Sequence, residues 1–492
     1  HSIISYKQEV ARSGRRPFYQ RFFIDIALFG VTAYGYYMLR QRQSIVTLGK
    51  DEQMVIEPLL LIVPSIFIFA VALLFLRVFP LLTALLARVT SLMGNPAIPL
   101  ALRQIARTPN QYMSLVLLLT LTLALGSYSA SAAHTIDRNL AERVYYEIPA
   151  DMDLWEAWDY NEEENTYYAP PFQDHFVDGV VEASPYRTFK VTPSIGRNAK
   201  DGVLLAIDRL TYPAVGWWRR DFSPIPLGGL MNALGAAEQA TIVSPSFLST
   251  FQLRVGDSYT LNFDLKPVDF YVAETTEYFP TMYPEKGYFF IANLEYVYDQ
   301  IGMQPYRVWL KLEPGVRGAD VVDSIRDRQI KVVSIQDSRV KVNQGRTDPQ
   351  RTGLFGMLTV GFAVAALLTV LGFFLYSFLS FERRLVQMGI LRAMGLSVGQ
   401  LFTLLLSEQV FLIVLGVAAG TGLGVLTGTM FIPFLQVGAE NQTPRFVVET
   451  AWTDISRIYA VLGLMLLIGL ASTAVLIRRM KLYQSVKMGE EQ

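Results

Sequence analysis

The sequence predicts a polytopic α-helical membrane protein of six spans carrying one large α+β extracytoplasmic domain. Three observations predict it. Of 492 residues, 51% are hydrophobic, which is unusual for a soluble enzyme and ordinary for a membrane protein. Six apolar runs approach or exceed the roughly 20 residues that a helix needs to cross about 30 Å of hydrocarbon. The basic residues are also unevenly placed: segments 1–21, 77–111, 382–400 and 478–492 hold 16 Lys/Arg against 4 Asp/Glu. Lys and Arg are retained on the cytoplasmic side, so these four segments belong inside and both chain ends with them.

In chain order, residues 1–21 form a basic cytoplasmic segment, with Lys7, Arg12, Arg15, Arg16 and Arg21 against Glu9. The chain opens without Met in the middle of this segment, which reads as an N-terminally truncated product. Two transmembrane helices follow within 22–80. The first, Phe22 to Leu39, contains Asp25 near its basic end, where pairing with Arg21 is expected and a proton relay is the alternative. A balanced polar loop, Arg40 to Glu57, leads to the second, Pro58 to Phe79, where Pro64 predicts a kink. Residues 81–111 are cytoplasmic and include an amphipathic elbow. Ile98, Leu102 and Ile105 face one way there, while Arg103 and Arg107, four apart, share another face. The third span covers 112–133 and ends in small residues from Ser127 to Ala133.

Residues 134–353 are different material. They hold 31 Asp/Glu and 22 Lys/Arg, including Glu162-Glu163-Glu164. Strand patterns recur at Ala240 to Val243, Ser258 to Phe263, Val268 to Ala273, Tyr288 to Ile291 and Tyr306 to Leu312, with turns such as Val255-Gly256-Asp257 between them. Leu294 to Ile301 and Asp320 to Gln329 read as helices. This is a folded α+β domain outside the membrane, whose ends, His134 to Tyr146 and Ser338 to Thr352, continue the adjoining spans as a stalk.

The fourth span covers 354–381 and the fifth 401–434. Between them, 382–400 is a short basic cytoplasmic stretch whose Leu385, Met388, Leu391 and Met394 recur every three positions, as on one face of a surface helix. An outer loop, 435–455, a last span, 456–478, and a cytoplasmic tail, 479–492, complete the chain. In the fifth span Gly416, Gly420, Gly424 and Gly428 repeat every four residues, a ridge that lets a second helix approach closely. Static packing within the bundle and a sliding or dimer interface are both open. Glu408, two turns into that span, is read as a partner for the basic elbow, or else as an interfacial acid.

Several chemistries are excluded. There is no cysteine, hence no disulfide, zinc-thiolate site or thiol nucleophile. His1, His134 and His175 are too far apart for ligand spacing, so no metal site is expected. Gly49-Lys50 and Lys286-Gly287 lack the rest of a phosphate loop, and no H-E-x-x-H or G-x-S-x-G occurs. No catalytic residue and no cofactor are expected in this chain, and no nucleic-acid partner.

Glu382-Arg383-Arg384, then Gly389-Ile390-Leu391-Arg392-Ala393-Met394-Gly395, then Glu408 and the glycine series from Gly416 resemble the FtsX-like permease module of ABC transporters (MacB/Lol-type, type VII). The elbow from Ala101 to Pro109, Leu204 to Asp208, Val255-Gly256-Asp257 and Phe279-Pro280 are similar to the rest of that module, and the resemblance covers about 95–482. It implies a permease in the bacterial cytoplasmic membrane, with its large domain outside and membrane lipid around it. It also implies a separate cytoplasmic ABC ATPase dimer, which carries ATP and Mg. Glu382, Arg383, Arg384, Gly389, Arg392 and Gly395 would touch that ATPase, and the stroke would pass to the outer domain as mechanotransmission. The two spans in 22–80 resemble the linker pair of longer members, which implies a second permease module, in the same longer chain or as a dimer mate. The expected function is export or extraction of a lipophilic, lipoprotein or peptide cargo. The alternative is a non-transporting sensor regulating an outer cell-wall enzyme or a signalling partner.

Overall fold

The structure is a computed structural model that describes residues 18–42, 46–48, 54–56, 58–90, 97–162, 166–168, 177–195, 200–264, 266–347, 398–435 and 443–479, with scattered helical positions between 353 and 371. It divides into two compact units. One comprises His1–Ile136, Thr352–Ala439 and Val447–Gln492; the other comprises Asp137–Arg351 and Glu440–Phe446.

The chain enters through α1 (Ile24–Arg42), α2 (Pro58–Thr90), α3 (Ala97–Arg107) and α4 (Met113–Glu147). Pro58 opens α2 at the first helical position, where its missing N–H costs nothing, and the helix runs on through Pro64 and Pro80. The polar loop between α1 and α2 carries a small antiparallel pairing of Val46–Leu48 with Met54–Ile56.

The second unit is built on a nine-stranded sheet. Its strands are β1 (Met152–Glu156), β2 (Val180–Pro193), β3 (Gly202–Ile207), β4 (Ala240–Val243), β5 (Ser258–Phe263), β6 (Lys266–Thr275), β7 (Tyr288–Asn293), β8 (Arg307–Leu312) and β9 (Val332–Asp337). The order across the sheet is β9-β1-β8-β2-β3-β7-β4-β6-β5, and β2 also pairs with β5 through Thr192↔Asn262 and Pro193↔Leu261. That extra pairing closes six strands on themselves and leaves β8, β1 and β9 as an extension. Most neighbours are antiparallel, but β3 with β7 and β4 with β6 are parallel, which requires crossovers.

The helices of this unit are α5 (Leu227–Leu234), α6 (Pro245–Phe251), α7 (Leu294–Ile301), α8 (Gly318–Asp327) and α9 (Ser338–Arg346). Successive strand residues point to opposite faces, and here both faces are covered, so the central strands are apolar throughout. Leu204, Ala206, Phe290 and Ala292 pack on one side with Phe247, Leu261 and Phe270. Leu205, Ile207, Phe289 and Ile291 pack on the other with Leu230, Leu234, Tyr212 and Trp309. A third cluster joins β1 and β8 to Val321 and Ile325 of α8.

The chain ends with α10 (Val398–Phe431) and α11 (Trp452–Arg479). Among the described residues three helical stretches are long and apolar enough to cross a membrane: Ile62–Val89, Met113–Glu147 and Leu406–Leu435. Most of the fourth expected span, 354–381, lies outside the described residues.

Candidate functional site

The glycine ridge of α10 meets α4. A Cβ placed on Gly416 would lie 2.9 Å from Leu119 Cβ. On Gly420 it would lie 2.7 Å from Leu123 Cβ and 2.8 Å from the Thr120 carbonyl oxygen. On Gly424 it would lie 2.7 Å from both the Ala124 carbonyl oxygen and Ser127 Cβ. Real Cβ atoms do not approach this closely, so hydrogen is the only side chain that fits while the two backbones stay where they are. The contacts step by four residues on each helix and ascend together, so α4 and α10 run parallel along the seam. Gly428 departs from it: its nearest neighbour is Ile432 Cδ1 at 3.3 Å, a few residues on in the same chain segment. Gly422 meets nothing within 4 Å. The partner face, Leu119, Thr120, Leu123, Ala124 and Ser127, lies ahead of the small-residue run that ends this span and was not legible in the sequence.

Around the seam, α3 lies against α2 and α10. Its Leu102 and Ile105 are buried with Leu73, Leu76, Phe79, Tyr112 and Leu412, while Arg103 and Arg107 are exposed. Glu408 of α10 is 2% exposed. Asp25 is fully buried, and its partner differs from the expected Arg21: Arg77 of α2 approaches it at 2.8 Å and donates to it at 3.0 Å. The reason is register. Asp25 and Arg77 face each other where α1 packs on α2, and Arg77 also donates to the Gln20 carbonyl at 3.2 Å. Flanking the ridge on α10, the Thr421 hydroxyl lies 2.5 Å from that of Tyr459 and ties α10 to α11. The predicted coupling residues Glu382, Arg383, Arg384, Gly389, Arg392 and Gly395 lie outside the described residues.

In the second unit, the end of α4 and α9, which fall in the two stretches read as a stalk, are joined by ion pairs. Arg346 makes a two-pronged contact with Asp137 (2.8 Å each) and Lys341 contacts Glu147 at 2.6 Å. Asp337 caps α9 by accepting from the Arg339 and Val340 amides. Thr443 donates to Glu285 at 2.5 Å, and Arg219 donates to the Arg445 carbonyl at 2.8 Å. Arg219 also pairs with Glu142. Nearby, burial together with the Glu147 and Glu285 charges pushes the Tyr283 hydroxyl up to about 12.

This unit also holds a cleft of about 820 Å³ that sequence reasoning missed. It opens where the parallel strands β3 and β7 end side by side, at Ile207 and Asn293, the point in a sheet where the following segments diverge. Asn293 fixes one wall by donating to the Leu234 carbonyl at 2.9 Å and to the Glu238 carbonyl at 3.0 Å. Asp208 fixes another by accepting from the Leu210 amide and the Thr211 hydroxyl, both at 2.9 Å. Leu204 to Asp208, singled out as a pattern, forms its floor strand, but nothing in the spacing predicted a cavity there. Among the described residues no cluster of acids and histidines is arranged to hold a metal.

Comparison with known proteins bears on the C-terminal part. Residues 359–483 match the family model described as FtsX-like permease C-terminal. The resemblance carried by Glu382 to Gly395 and the glycine series falls inside that match. No curated protein matches the chain. Solved structures resemble the chain weakly. The periplasmic region of MacB from Actinobacillus actinomycetemcomitans aligns at 10% identity over 41% of this chain and 96% of its own, with a TM-score of 0.28. The extracellular domain of the noncanonic ABC-type transporter YknZ from Gram-positive bacteria aligns at 15% over 38% and 98%, with a TM-score of 0.24. Likeness at these scores adds no argument beyond the family match.

Proposed function

We propose that this chain is a permease subunit of an ABC transporter, in which a separate cytoplasmic ATPase dimer binds ATP and Mg and drives motion of the outer domain. The observation that carries this is the match of 359–483 to the FtsX-like permease C-terminal family, which brackets the basic interruption between two apolar runs. The parallel run of α4 and α10 supports it, because both helices then start on one side of the membrane. That is the side to which the basic segments before each of them assign their N-terminal ends. The full topology is six spans with the domain outside. Motion of α10 would reach α4 through a seam to which the α10 glycines contribute no side chain, and α4 continues past the membrane as half of the stalk. The cargo class is lipophilic, lipoprotein or peptide, and a second permease module completes the assembly.

The test is charge reversal at the coupling stretch. Arg383→Glu, Arg384→Glu and Arg392→Glu together should abolish co-purification of the ATPase while leaving membrane insertion intact, because a basic helix docking on an acidic groove is turned from attraction to repulsion. Undiminished ATPase recovery with the triple variant would remove this stretch as the docking site.

A further inference from the structure

The cleft at the ends of β3 and β7 has the size of a small-molecule site, since such sites run from about 300 to 1,000 Å³. Its charge is lopsided. Four carboxylates line it, Asp208, Glu238, Glu295 and Asp299, against the single guanidinium of Arg209. Asp208 is spoken for by its own loop. Glu238, Glu295 and Asp299 are exposed, and none of the three forms an ion pair among the described residues. Other acids of this unit, among them Asp137, Glu142, Glu147, Asp151 and Asp153, do have basic partners.

The second property is apolar. Leu210 is 72% exposed and Met303 53%, and both line the cleft together with the rings of Tyr296, Tyr298 and Tyr306. The Tyr296 and Tyr298 hydroxyls donate to the Asp269 and Gln304 carbonyls at 2.7 and 2.9 Å. Their polar ends are thus used elsewhere, and what they add to the cleft is ring surface. Large apolar side chains left open beside uncompensated charge mark a surface built for contact. Ring faces and a thioether favour a cation over an anion or a neutral polar group.

We infer that this cleft binds an organic cation: an amine or quaternary ammonium carried on an apolar body, with the charge toward Glu238, Glu295 and Asp299 and the body on Leu210, Met303 and the tyrosine rings. The cavity and the exposed apolar lining establish room and affinity for the body, and the unmatched carboxylates set the sign of the charge. The inference does not require that the ligand be transported.

The experiment uses the full chain in nanodiscs of zwitterionic lipid, without ATPase or nucleotide, so its outcome is independent of the coupling test above. Ethidium, a permanent cation on an aromatic body, is titrated and followed by fluorescence anisotropy, with empty nanodiscs as the blank and anionic fluorescein as the counter-probe. Saturable ethidium binding is expected, weakened about tenfold by the combined Glu238→Gln, Glu295→Gln and Asp299→Asn substitutions, which sit on exposed positions and leave the core untouched. Raising the salt concentration should weaken binding to the unsubstituted chain as well, which tests the electrostatic part without any substitution. Absence of saturable ethidium binding, binding indifferent to both the substitutions and salt, or tighter binding of fluorescein would overturn the inference.

Discussion

Where α10 crosses α4, packing depends on what is missing; where β8 meets β2 and its neighbours, it depends on what is present. At the first contact Gly416, Gly420 and Gly424 offer no side chain, so the backbone of α10 meets the Leu119 side chain and, at Gly420 and Gly424, the backbone and Cβ atoms of α4. At the second, Trp309 is fully buried, stacked 3.7 Å from Tyr186 at an interplanar angle of 11°, with Tyr212 at 5.4 Å. The surroundings explain the contrast. In water, burying a large ring removes apolar area from solvent and stabilises the fold. In lipid that gain vanishes, since the tails are as apolar as Leu, and only close approach and hydrogen bonds remain to hold helices together. The two units should therefore fail under opposite changes, removal of volume in one and addition in the other.

The largest effect is expected from removal. Trp309→Ala deletes the largest fully buried side chain in the second unit, together with its stacking on Tyr186, and should lower that unit's stability by about 3–5 kcal/mol. Urea unfolding followed by hydrogen exchange on the full chain would show it as lost protection across β2, β3 and β8. Protection there equal to the unsubstituted chain would show that the stack is not what holds this face.

Slightly smaller, and dependent on pH, is the effect of uncovering a buried charge. Asp153 is 4% exposed and is contacted by Arg307 and by the Tyr186 hydroxyl at 3.0 Å. Burial already raises its carboxyl above the usual range, with Arg307 pulling it back down. Arg307→Met removes that counterweight and should cost about 3 kcal/mol at neutral pH. A native carboxyl raised further above its unfolded value binds more protons folded than unfolded. Stability is then retained below the unfolded carboxylate range and lost as pH rises through the raised native value. The variant should therefore approach the unsubstituted chain as pH falls. A penalty that stays constant with pH would mean that Arg307 acts by packing alone.

Addition of volume breaks the other unit. Gly420→Ala and Gly424→Ala should each cost about 1–3 kcal/mol, since a single methyl must displace backbone atoms at 2.7–2.8 Å. On the proposed function, Leu at both positions should abolish ATP-driven activity outright. Gly422→Ala is the matched control two residues away. It meets nothing within 4 Å, and Ala is the better helix former, so no loss is expected there. Thermal unfolding of the three variants in one lipid decides the matter: equal behaviour at positions 420 and 422 would separate the ridge from the seam.

How far these contacts were legible in the sequence follows from how local their signals are. The strands Ala240–Val243 and Ser258–Phe263 and the helix Leu294–Ile301 have the bounds that pattern predicts, because each is short and apolar on its own. β2 did not show itself, since Val180 to Pro193 interleaves Glu182, Arg187 and Lys190 with apolar residues and contains Pro185. Its length makes sense only once β8, β3 and β5 are seen to share it. β1 and β9 went unread for a similar reason: each is stabilised by partners distant in sequence. The glycine spacing was visible as a ridge, but which helix it faces is a property of register. The same holds for Asp25, whose nearest cation in sequence, Arg21, is not its partner in space.

The smallest effect is expected at the stalk, and it is informative because it separates stability from coupling. Arg346 and Asp137 are 49% and 43% exposed, and exposed pairs contribute about 0.2–1 kcal/mol. Arg346→Ala should therefore leave unfolding of the outer domain nearly unchanged. The contact nevertheless joins α9 to the outer end of α4, so its loss frees the last turns of α9 to open locally at little energetic expense. If the stalk carries motion from α10 through α4, Arg346→Ala should reduce ATP-driven activity severalfold at unaltered stability. Asp137→Arg combined with Arg346→Asp should restore it by re-forming the pair with its charges exchanged. Activity that follows stability alone, unmoved by both the single and the exchanged variants, would make the pair a surface ion pair and nothing more. The search for the transmitting contact would then move to Gly345, whose Cβ would lie 2.8 Å from the Leu140 side chain on the same pair of helices.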